Sequence, residues 1–215
     1  MTAQLPPTTP LVGRFIRLEP LTRELLPELH AAIARPEVFA GGYGGGSAGL
    51  RTDPDEFAAW ALGYYRFDRD DAAPYAIRLA GGPNDGLLVG TSSIADIELA
   101  NEAAHIGWTA YDPRVWGTAV NPEAKLLLLG RLFDSGFGRV KIQADAANAR
   151  SRAAITKLGA TFEGVMRRAQ PRADGSWRDT AVYSVLADEW PEVRAGLQER
   201  LAGFPDAVVL SEPKA

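Results

Sequence analysis

The stretch Arg114-Val-Trp-Gly-Thr-Ala-Val-Asn-Pro-Glu123 is the most informative segment of this 215-residue chain. It follows a strand-like segment, residues 104–111, and it leads into a strongly apolar segment, residues 123–135, that is predicted to form a helix. Between the two, residues 117–119 (Gly-Thr-Ala) keep the side chains small. This pattern predicts a loop whose backbone closely approaches a bound group.

The start of the predicted helix favours the binding of an anion. Asn121 is a good N-cap residue, because its side-chain oxygen can accept hydrogen bonds from N–H groups of the first turn. Pro122 suits the first helical position, where its missing N–H is not needed. The remaining N–H groups and the positive end of the helix dipole form a binding site for phosphate. The stretch therefore predicts a site for a phosphorylated cofactor.

The composition is that of a globular protein. Hydrophobic residues make up 46% of the chain and charged residues 23%, an ordinary balance, and a chain of this length can bury a core without disulfides or metals. Cysteine is absent, which excludes disulfides, thiolate metal ligands and cysteine nucleophiles. The two histidines, His30 and His105, argue against a histidine-based metal site. We therefore predict no metal.

Charge and hydropathy limit the partners. The net charge of −4 argues against broad nucleic-acid binding. No apolar run approaches the length of a membrane span, and the first residues lack the profile of a signal peptide. We therefore expect a cytoplasmic protein that binds neither a membrane nor a nucleic acid directly.

The order of the elements predicts one α/β (α+β) domain over residues 11–203, with a flexible arm at 1–10 and a tail at 204–215. Strand–helix alternation in the middle of the chain implies parallel pairing, and the hairpins on either side imply antiparallel pairing. The sheet should therefore be mixed, with helices on both faces. The predicted strands are 11–21, 74–80, 87–98, 104–111, 139–146, 162–170 and 177–186, and the predicted helices are 22–34 with Thr22 as its cap, one from about Asp53, 123–135, 149–158 and 190–201.

A second motif, Asn148-Ala-Arg-Ser151 followed by Lys157-Leu-Gly-Ala160, lies about thirty residues after the first and again starts a predicted helix. With these two motifs the chain resembles the GCN5-related N-acetyltransferases (GNAT), in particular the branch similar to bacterial ribosomal-protein N-terminal acetyltransferases. The family signature Arg/Gln-x-x-Gly-x-Gly/Ala is seen here as Arg114-Val-Trp-Gly-Thr-Ala119. The likeness covers residues 11–190 and implies a mostly antiparallel sheet with one splayed parallel pair.

The resemblance implies a site for acetyl-CoA as the acyl donor. Backbone N–H groups of the 114–119 loop would hold the pyrophosphate of coenzyme A, and residues 109–111 would pair with the pantetheine arm. Asn148 is predicted to cap its helix and also to contact pantetheine. The alternative interpretation of the loop is a tight turn between a strand and a helix. The implied cofactor-binding residues are Thr109, Ala110, Tyr111, Arg114, Trp116, Gly117, Thr118, Ala119, Asn121, Asn148 and Ser151.

The resemblance also implies that an amine attacks the bound thioester directly, which requires a proton acceptor. Many relatives carry a glutamate just before the Ile-Gly-Trp/Tyr of the fourth strand, and this chain has His105 there. An imidazole, with an ordinary pKa of about 6.5, is suited to this role. Alternatively, His105 makes an ordinary structural hydrogen bond. Glu102 and a water molecule are the other candidate acceptors.

A departure from the family concerns the acid that protonates the leaving thiolate. Many acetyltransferases place a tyrosine seven residues after the motif asparagine, whereas this chain has Ile155. Ser151 is the candidate substitute, and it can equally be an ordinary first-turn helix residue. Tyr183, on the last strand, is expected in the core or in the lining of the substrate pocket.

Two further segments bear on the acceptor. The glycine-rich loop at 41–49 contains a Gly-x-Gly-x-x-Gly pattern, but no βαβ unit surrounds it, so we interpret it as a mobile loop near the acceptor pocket. Four arginines make the last hairpin basic, either as a solvated strand face or as a contact for an acidic peptide or RNA. These arginines are Arg167, Arg168, Arg172 and Arg178.

Together these features predict an N-acetyltransferase that moves an acetyl group from acetyl-CoA to a primary amine, either a peptide N-terminus or a small molecule. His105 and Ser151 are the predicted catalytic residues. The alternatives are a non-catalytic acyl-CoA-binding sensor or scaffold, and a transferase for a longer acyl group. A homodimer is common among relatives and is one option for this chain.

Overall fold

An eight-stranded mixed sheet forms the centre of the computed structural model, which describes residues 3–212. The strand order is β1-β2-β3-β4-β5-β6-β8-β7, and every neighbouring pair in this part of the chain is antiparallel except the parallel pair β5–β6. The predicted mixed and mostly antiparallel sheet is confirmed. The strands are β1 (Leu11–Val12), β2 (Ile16–Pro20), β3 (Ala73–Leu79), β4 (Leu88–Glu98), β5 (Ala103–Tyr111), β6 (Arg139–Asp145), β7 (Thr161–Pro171) and β8 (Trp177–Leu186).

Helices cover both faces of this sheet, as the sequence predicts. One face carries the core formed by α1, α2 and α3, and the other carries the core formed by α4, α5 and α6. In α1, the apolar stripe of Leu26, Leu29 and Ile33 is buried against the sheet. The helices are α1 (Leu26–Ile33), α2 (Pro36–Ala40), α3 (Pro54–Tyr64), α4 (Val120–Asp134), α5 (Ala149–Thr156) and α6 (Trp190–Ala202).

The parallel strands β5 and β6 separate along their length. They pair over Ala103–Ile106 and Arg139–Ile142, and beyond these residues they pair no further. Trp108 has a φ of +49°, and the register of β5 against β4 shifts around it. Such a β-bulge bends the strand that carries it. It turns the end of β5 away from β6, so the splayed parallel pair is confirmed.

Two expectations near the N-terminus are wrong, and one helix was not predicted. The predicted strand 11–21 is divided into β1 and β2, because the backbone between them bends to donate hydrogen bonds to Glu123. Thr22 makes no side-chain cap, and a 3-10 turn, Arg23–Leu25, precedes α1. The sequence also missed α2, which begins at Pro36.

The start of α4 also differs from the prediction. The helix begins at Val120, and the residue before it makes no side-chain cap. Asn121 lies in the first turn instead, and its Oδ1 accepts a hydrogen bond at 3.1 Å from the buried hydroxyl of Tyr111. Pro122 occupies the third position, where its missing N–H has no intrahelical partner to lose. The predicted capping by Asn121 is therefore wrong, because this tertiary hydrogen bond takes its side chain.

Both ends of the described chain contact the domain. The N–H of Gln4 donates to the end of α4 at 2.9 Å, and the N–H of Ser211 donates to the carbonyl of Arg114 at 3.0 Å. The arm at 1–10 and the tail at 204–215 stay predictions as domain boundaries. Residues 1–2 and 213–215 of these two segments lie outside the described residues.

Candidate active site

A cleft of about 330 Å³ passes through the sheet where β5 and β6 separate. Because the gap opens the sheet, helices on both faces border the cleft: Tyr64 comes from α3 and Asn121 comes from α4. The predicted base, His105, also borders it. The predicted cofactor residues in its lining are Thr109, Ala110, Tyr111, Trp116, Gly117, Asn121, Asn148 and Ser151.

The N-terminus of α4 presents unpaired backbone donors to this cleft. The N–H groups of Gly117, Ala119 and Asn121 make no hydrogen bond within residues 3–212. Gly117 has a φ of +82°, a conformation that favours glycine. Together with the positive end of the helix dipole, these donors form an anion seat.

The side chains of Arg114 and Thr118 shape the loop and do not line the cleft. The Arg114 guanidinium is bound to Asp112, with Nε 3.0 Å and Nη2 2.7 Å from Oδ2, and this hydrogen bonding raises the pKa of Arg114. The Thr118 hydroxyl donates to the carbonyl of Val115 at 2.7 Å. At these two positions the loop therefore offers only its backbone to a ligand.

Arg150 adds a positive charge beside this loop. Its guanidinium carbon lies 3.4 Å from the ring centroid of Trp116, and both residues border the cleft. Burial lowers the pKa of Arg150, and no carboxylate of residues 3–212 lies within 4.0 Å of it. The sequence reasoning missed this cation, although it stands inside the Asn148 motif.

Asn148 begins α5, as predicted. Its Oδ1 accepts a hydrogen bond from the N–H of Ser151 at 2.9 Å, which is an N-cap interaction. Its Nδ2 donates to the carbonyl of Gly41 at 2.6 Å, so the same side chain holds the glycine-rich loop. Asn148 therefore joins two walls of the cleft.

His105 lies where β5 and β6 begin to separate, and its side chain is 2% exposed. Its Nδ1 lies 3.1 Å from Oδ2 of Asp96, and a carboxylate can only accept, so Nδ1 carries the proton. The other ring nitrogen, Nε2, is buried and makes no hydrogen bond within residues 3–212. Burial lowers the pKa of His105, so the ring is neutral at pH 7. The neutral ring thus keeps Nε2 as an unpaired acceptor.

Asp96 is the residue of this pair that the sequence reasoning missed. It also accepts hydrogen bonds from Arg66 at 2.7 Å and from Lys141 at 3.3 Å. The hydrogen bond from His105, with help from these cations, holds the pKa of the Asp96 carboxyl well below its usual range. Asp96 therefore stays ionised and orients the imidazole.

Lys125 of α4 is a buried cation that the sequence reasoning also missed. It is 4% exposed and borders the cleft. Its Nζ donates to Thr109 at 2.9 Å and to Ser92 at 3.2 Å, and no carboxylate of residues 3–212 lies within 4.0 Å. Burial lowers the pKa of Lys125 to about 7. A lysine directly before a run of four leucines was the available signal.

A family model of the acetyltransferase (GNAT) domain matches residues 16–161. The matched segment contains both the loop at the start of α4 and the Asn148 motif. The chain belongs to the GNAT acetyltransferase family. This GNAT protein is therefore an acyltransferase that uses acetyl-CoA.

Solved GNAT structures share its fold. A GCN5-related N-acetyltransferase from Brucella melitensis is 28% identical, with 94% of this chain and 89% of that chain covered at a TM-score of 0.81. A protein from T. thermophilus, assigned as an acetyltransferase, is 33% identical over 89% of this chain and 96% of its own, with a TM-score of 0.78. Mycobacterium smegmatis RimJ, in complex with CoA-disulfide, is 20% identical over 86% and 88% of the two chains, with a TM-score of 0.68, and shows the fold alone. No curated protein sequence matches the chain.

Two structural features of this GNAT protein concern metals and membranes. Residues 3–212 contain no group of three His, Cys, Asp or Glu side chains that could hold a metal ion. In the same residues, no helix is both long and apolar enough to cross a membrane.

The other candidate proton carriers occupy different places in this GNAT protein. Glu102 lies in the turn before β5 and does not border the cleft. Ile155 does border it, so the position where many relatives have tyrosine carries no hydroxyl here. Tyr183 is buried in the core, and its hydroxyl accepts a hydrogen bond from Arg152 at 3.2 Å. His105 and Ser151, the two sequence-predicted catalytic residues, both border the cleft.

Lys125→Met is expected to stabilise the GNAT domain at low pH. The pKa of Lys125 is 10.5 in the unfolded chain and about 7 in the folded protein. At any pH where the buried lysine is charged, it therefore lowers the free energy of unfolding. The cost is complete below pH 7 and disappears as the pH rises towards 10.5. We expect the variant to gain on the order of 3 kcal/mol at pH 6, and much less at pH 10, in urea unfolding. Ser92 and Thr109 can still bond each other, because their hydroxyl oxygens are 2.8 Å apart.

Lys157→Met serves as the matched control for this experiment, because Lys157 is an exposed lysine at the end of α5. Its free energy of unfolding should change by less than about 0.5 kcal/mol at either pH. Equal effects of the two substitutions would show that Lys125 is not buried as a charge.

The glycine-rich loop and the last hairpin form another wall of the cleft. Gly41, Gly42 and Tyr43 of the loop border the cleft, and that this is the acceptor pocket stays a prediction. Of the four hairpin arginines, Arg167 and Arg168 are exposed, as a solvated face requires. That interpretation is wrong for the other two, which are only partly exposed: Arg172, in the turn after β7, pairs with Asp145 at 2.5 Å, and Arg178 borders the cleft.

Proposed function

We propose that this protein transfers an acetyl group from acetyl-CoA to a primary amine by direct attack of the amine on the thioester. The observation that carries the proposal is the Asp96–His105 pair, because it leaves Nε2 of His105 as an unpaired acceptor beside the cleft. A base at this place can take the proton that the amine must lose. RimL and the acetyltransferase MccE, which share the fold at TM-scores of 0.67 and 0.69, are described with CoA and with acetyl-CoA and AMP, respectively, and this supports acetyl-CoA as the donor.

The anion seat at Gly117, Ala119 and Asn121 is the proposed site for the pyrophosphate of coenzyme A. The unpaired edge of β5 after Ile106 offers backbone groups to the pantetheine arm, in the manner of an added strand. Arg150 supplies a charge for the phosphates. In this proposal the loop backbone acts at Arg114, Thr118 and Ala119. The residues that would surround the pantetheine arm are Thr109, Ala110, Tyr111, Trp116, Asn148 and Ser151.

The proposed reaction has one bond made and one broken. The amine nitrogen attacks the thioester carbonyl carbon, the new C–N bond forms, and the C–S bond breaks. Nε2 of His105 takes the proton from nitrogen, and ionised Asp96 stabilises the imidazolium that results. That proton then reaches the thiolate through water or the Ser151 hydroxyl, so the products are the acetylated amine and the free thiol of CoA.

An assay of thiol release tests this function. The pure protein is incubated with acetyl-CoA and with a panel of small amines and peptide N-termini, and the acetylated product is identified by mass spectrometry. We expect amine-dependent release of free thiol. Binding of acetyl-CoA without turnover of any amine would contradict the proposal and favour a sensor or scaffold. Faster turnover with succinyl-CoA would assign the longer acyl group instead.

A further inference from the structure

Arg178, at the start of β8, is a cation of the cleft without an anionic partner. Its Nε is buried and makes no hydrogen bond within residues 3–212, and no carboxylate of these residues lies within 4.0 Å of the guanidinium. Burial lowers the pKa of Arg178, but an arginine keeps its proton at neutral pH. Burying a charge without a partner is costly, so this guanidinium is suited to receive an anion.

The acidic and polar groups around Arg178 do not neutralise it. Asp145 lies near enough to Arg178 to favour the charged form of the guanidinium. The Asp145 carboxylate is already paired with Arg172 at 2.5 Å, however, and it accepts a hydrogen bond from the N–H of Ala147 at 3.0 Å. The Tyr64 hydroxyl also faces Arg178, and burial raises the pKa of Tyr64 to about 12, so it stays neutral. One positive charge therefore remains on this side of the cleft.

Arg178 lies on the side of the sheet opposite the anion seat. Side chains alternate along a strand, and Ala181 and Tyr183 of β8 enter the core beneath α4. Arg178, an even-numbered residue, points to the other face. There it borders both the cleft and an adjoining depression of about 310 Å³ that Tyr64 and Gln170 also line. Arg178 is thus placed to meet the acceptor rather than the phosphates of CoA.

The glycine-rich loop covers this side of the cleft. The carbonyl of Gly45 accepts a hydrogen bond at 3.0 Å from the N–H of Ala173, in the turn between β7 and β8. The carbonyl of Gly41 is held by Asn148 at 2.6 Å. Because the loop is tied to α5 and to the hairpin at once, the covered space suits a small molecule better than the terminal segment of a protein.

We propose that the acceptor is a small amine that carries an anionic group, a carboxylate or a phosphate, and that Arg178 binds this group while the amine reaches His105. The inference rests on the proposed function and names its substrate class. A guanidinium presents paired N–H donors that match two oxygens of either anion. Arg178 is therefore a specificity-determining residue, and the two anions are distinguished by experiment.

Matched pairs of amines test this proposal with the full-length protein. γ-Aminobutyrate is compared with n-butylamine, and O-phosphoethanolamine with ethanolamine, in the thiol-release assay. We expect kcat/KM to be about 10- to 100-fold higher for the anionic member of at least one pair, the range of a buried charge-assisted hydrogen bond. The pair that shows the preference identifies carboxylate or phosphate. A neutral hexapeptide amide is the comparison for a peptide N-terminus.

Substitution of Arg178 then locates the preference. Arg178→Met should remove the preference, so that the ratio of kcat/KM between the anionic and the neutral member of a pair falls to near one, whereas Arg178→Lys should retain part of it. Arg168→Met is the matched control, because Arg168 is exposed on the same hairpin and lies over Trp177. Circular dichroism of each variant establishes that it is folded.

Binding to the CoA-loaded protein, measured by calorimetry with the same pairs, separates the anion site from the catalytic proposal. If no amine is acetylated but γ-aminobutyrate or O-phosphoethanolamine binds through Arg178, the catalytic proposal fails and the anion site stands. Equal kcat/KM and equal affinity within both pairs would overturn the anion site. Faster acetylation of the hexapeptide amide than of any small acid would overturn the assignment of a small acceptor.

Discussion

His105→Ala is expected to lower kcat for acetyl transfer by about 10²- to 10⁴-fold, the usual contribution of a positioned base. His105 is the proton acceptor in the proposed reaction, and its Nε2 has no competing hydrogen bond within residues 3–212. The affinity for CoA should stay within about threefold, because the anion seat belongs to the start of α4. Steady-state kinetics and CoA titration of the same preparation measure both quantities.

The pH profile adds an independent signature of this base. His105 must be neutral to accept a proton, so kcat should fall as the pH drops through its pKa. Burial lowers that pKa below the ordinary value of 6.5, so the acid limb should lie below pH 6.5. Asp96→Asn should reduce kcat with smaller effect than His105→Ala, because the amide can orient the ring but cannot stabilise the imidazolium.

His30→Ala is the matched control, because His30 is the other histidine and packs against Phe57 away from the cleft. It should leave kcat and the pH profile unchanged. If His105→Ala retained the activity of the unsubstituted protein, the assignment of the base would be lost, and a water molecule would be the acceptor. The fold and the cofactor site would be unaffected by that result.

Glu123→Ala is expected to cause the largest loss of stability, about 4 kcal/mol in the free energy of unfolding. Glu123 is 4% exposed, and its carboxylate accepts three backbone hydrogen bonds, from Arg14 at 2.8 Å, Phe15 at 2.7 Å and Ile16 at 2.8 Å. Alanine would leave these N–H groups without an acceptor in a buried place. It would also detach the hairpin of β1 and β2 from α4. Urea unfolding at pH 7 measures the change.

Two further substitutions separate this effect from a general helix effect. Glu123→Gln retains the shape but has one acceptor oxygen in place of two, so we expect an intermediate loss. Glu192→Ala removes a glutamate from the first turn of α6 that is exposed, and it should change stability by less than about 0.5 kcal/mol. Similar losses for Glu123→Ala and Glu192→Ala would show that the three hydrogen bonds contribute little.

Local patterns in the sequence predicted most of the elements. The apolar helix after the 114–119 loop, the N-cap at Asn148 and the hairpins all depend on residues close in the chain, which is why their types and order could be recognised. The predictions were wrong where a residue distant in the chain makes a hydrogen bond that changes the expected local structure. Asn121 is engaged by Tyr111, and the strand at 11–21 is interrupted by hydrogen bonds to Glu123, more than a hundred residues away.

The candidate site divides in the same way. The proposed donor site depends on backbone conformation at the start of a helix, and a short motif specifies that conformation, so the loop at Gly117 was recognisable from sequence. The partners of the acidic and basic side chains could not be recognised from the sequence. Asp96 and His105 lie on neighbouring strands whose register shifts at bulges, so their contact could not be read from the sequence. Lys125 and Arg178 stand out only because the folded structure of residues 3–212 places no carboxylate within 4.0 Å of either cation.

The sequence by itself therefore determined the family and the kind of acyl donor, because both depend on short local motifs that specify the backbone conformation. The tertiary structure alone decided which side chains face one another across the opened sheet. Strand register, the bulge at Trp108 and the fold of the glycine-rich loop set those contacts, and each depends on packing between distant parts of the chain. For this reason the proton acceptor and the proposed anion site of the acceptor could be argued only from the folded molecule.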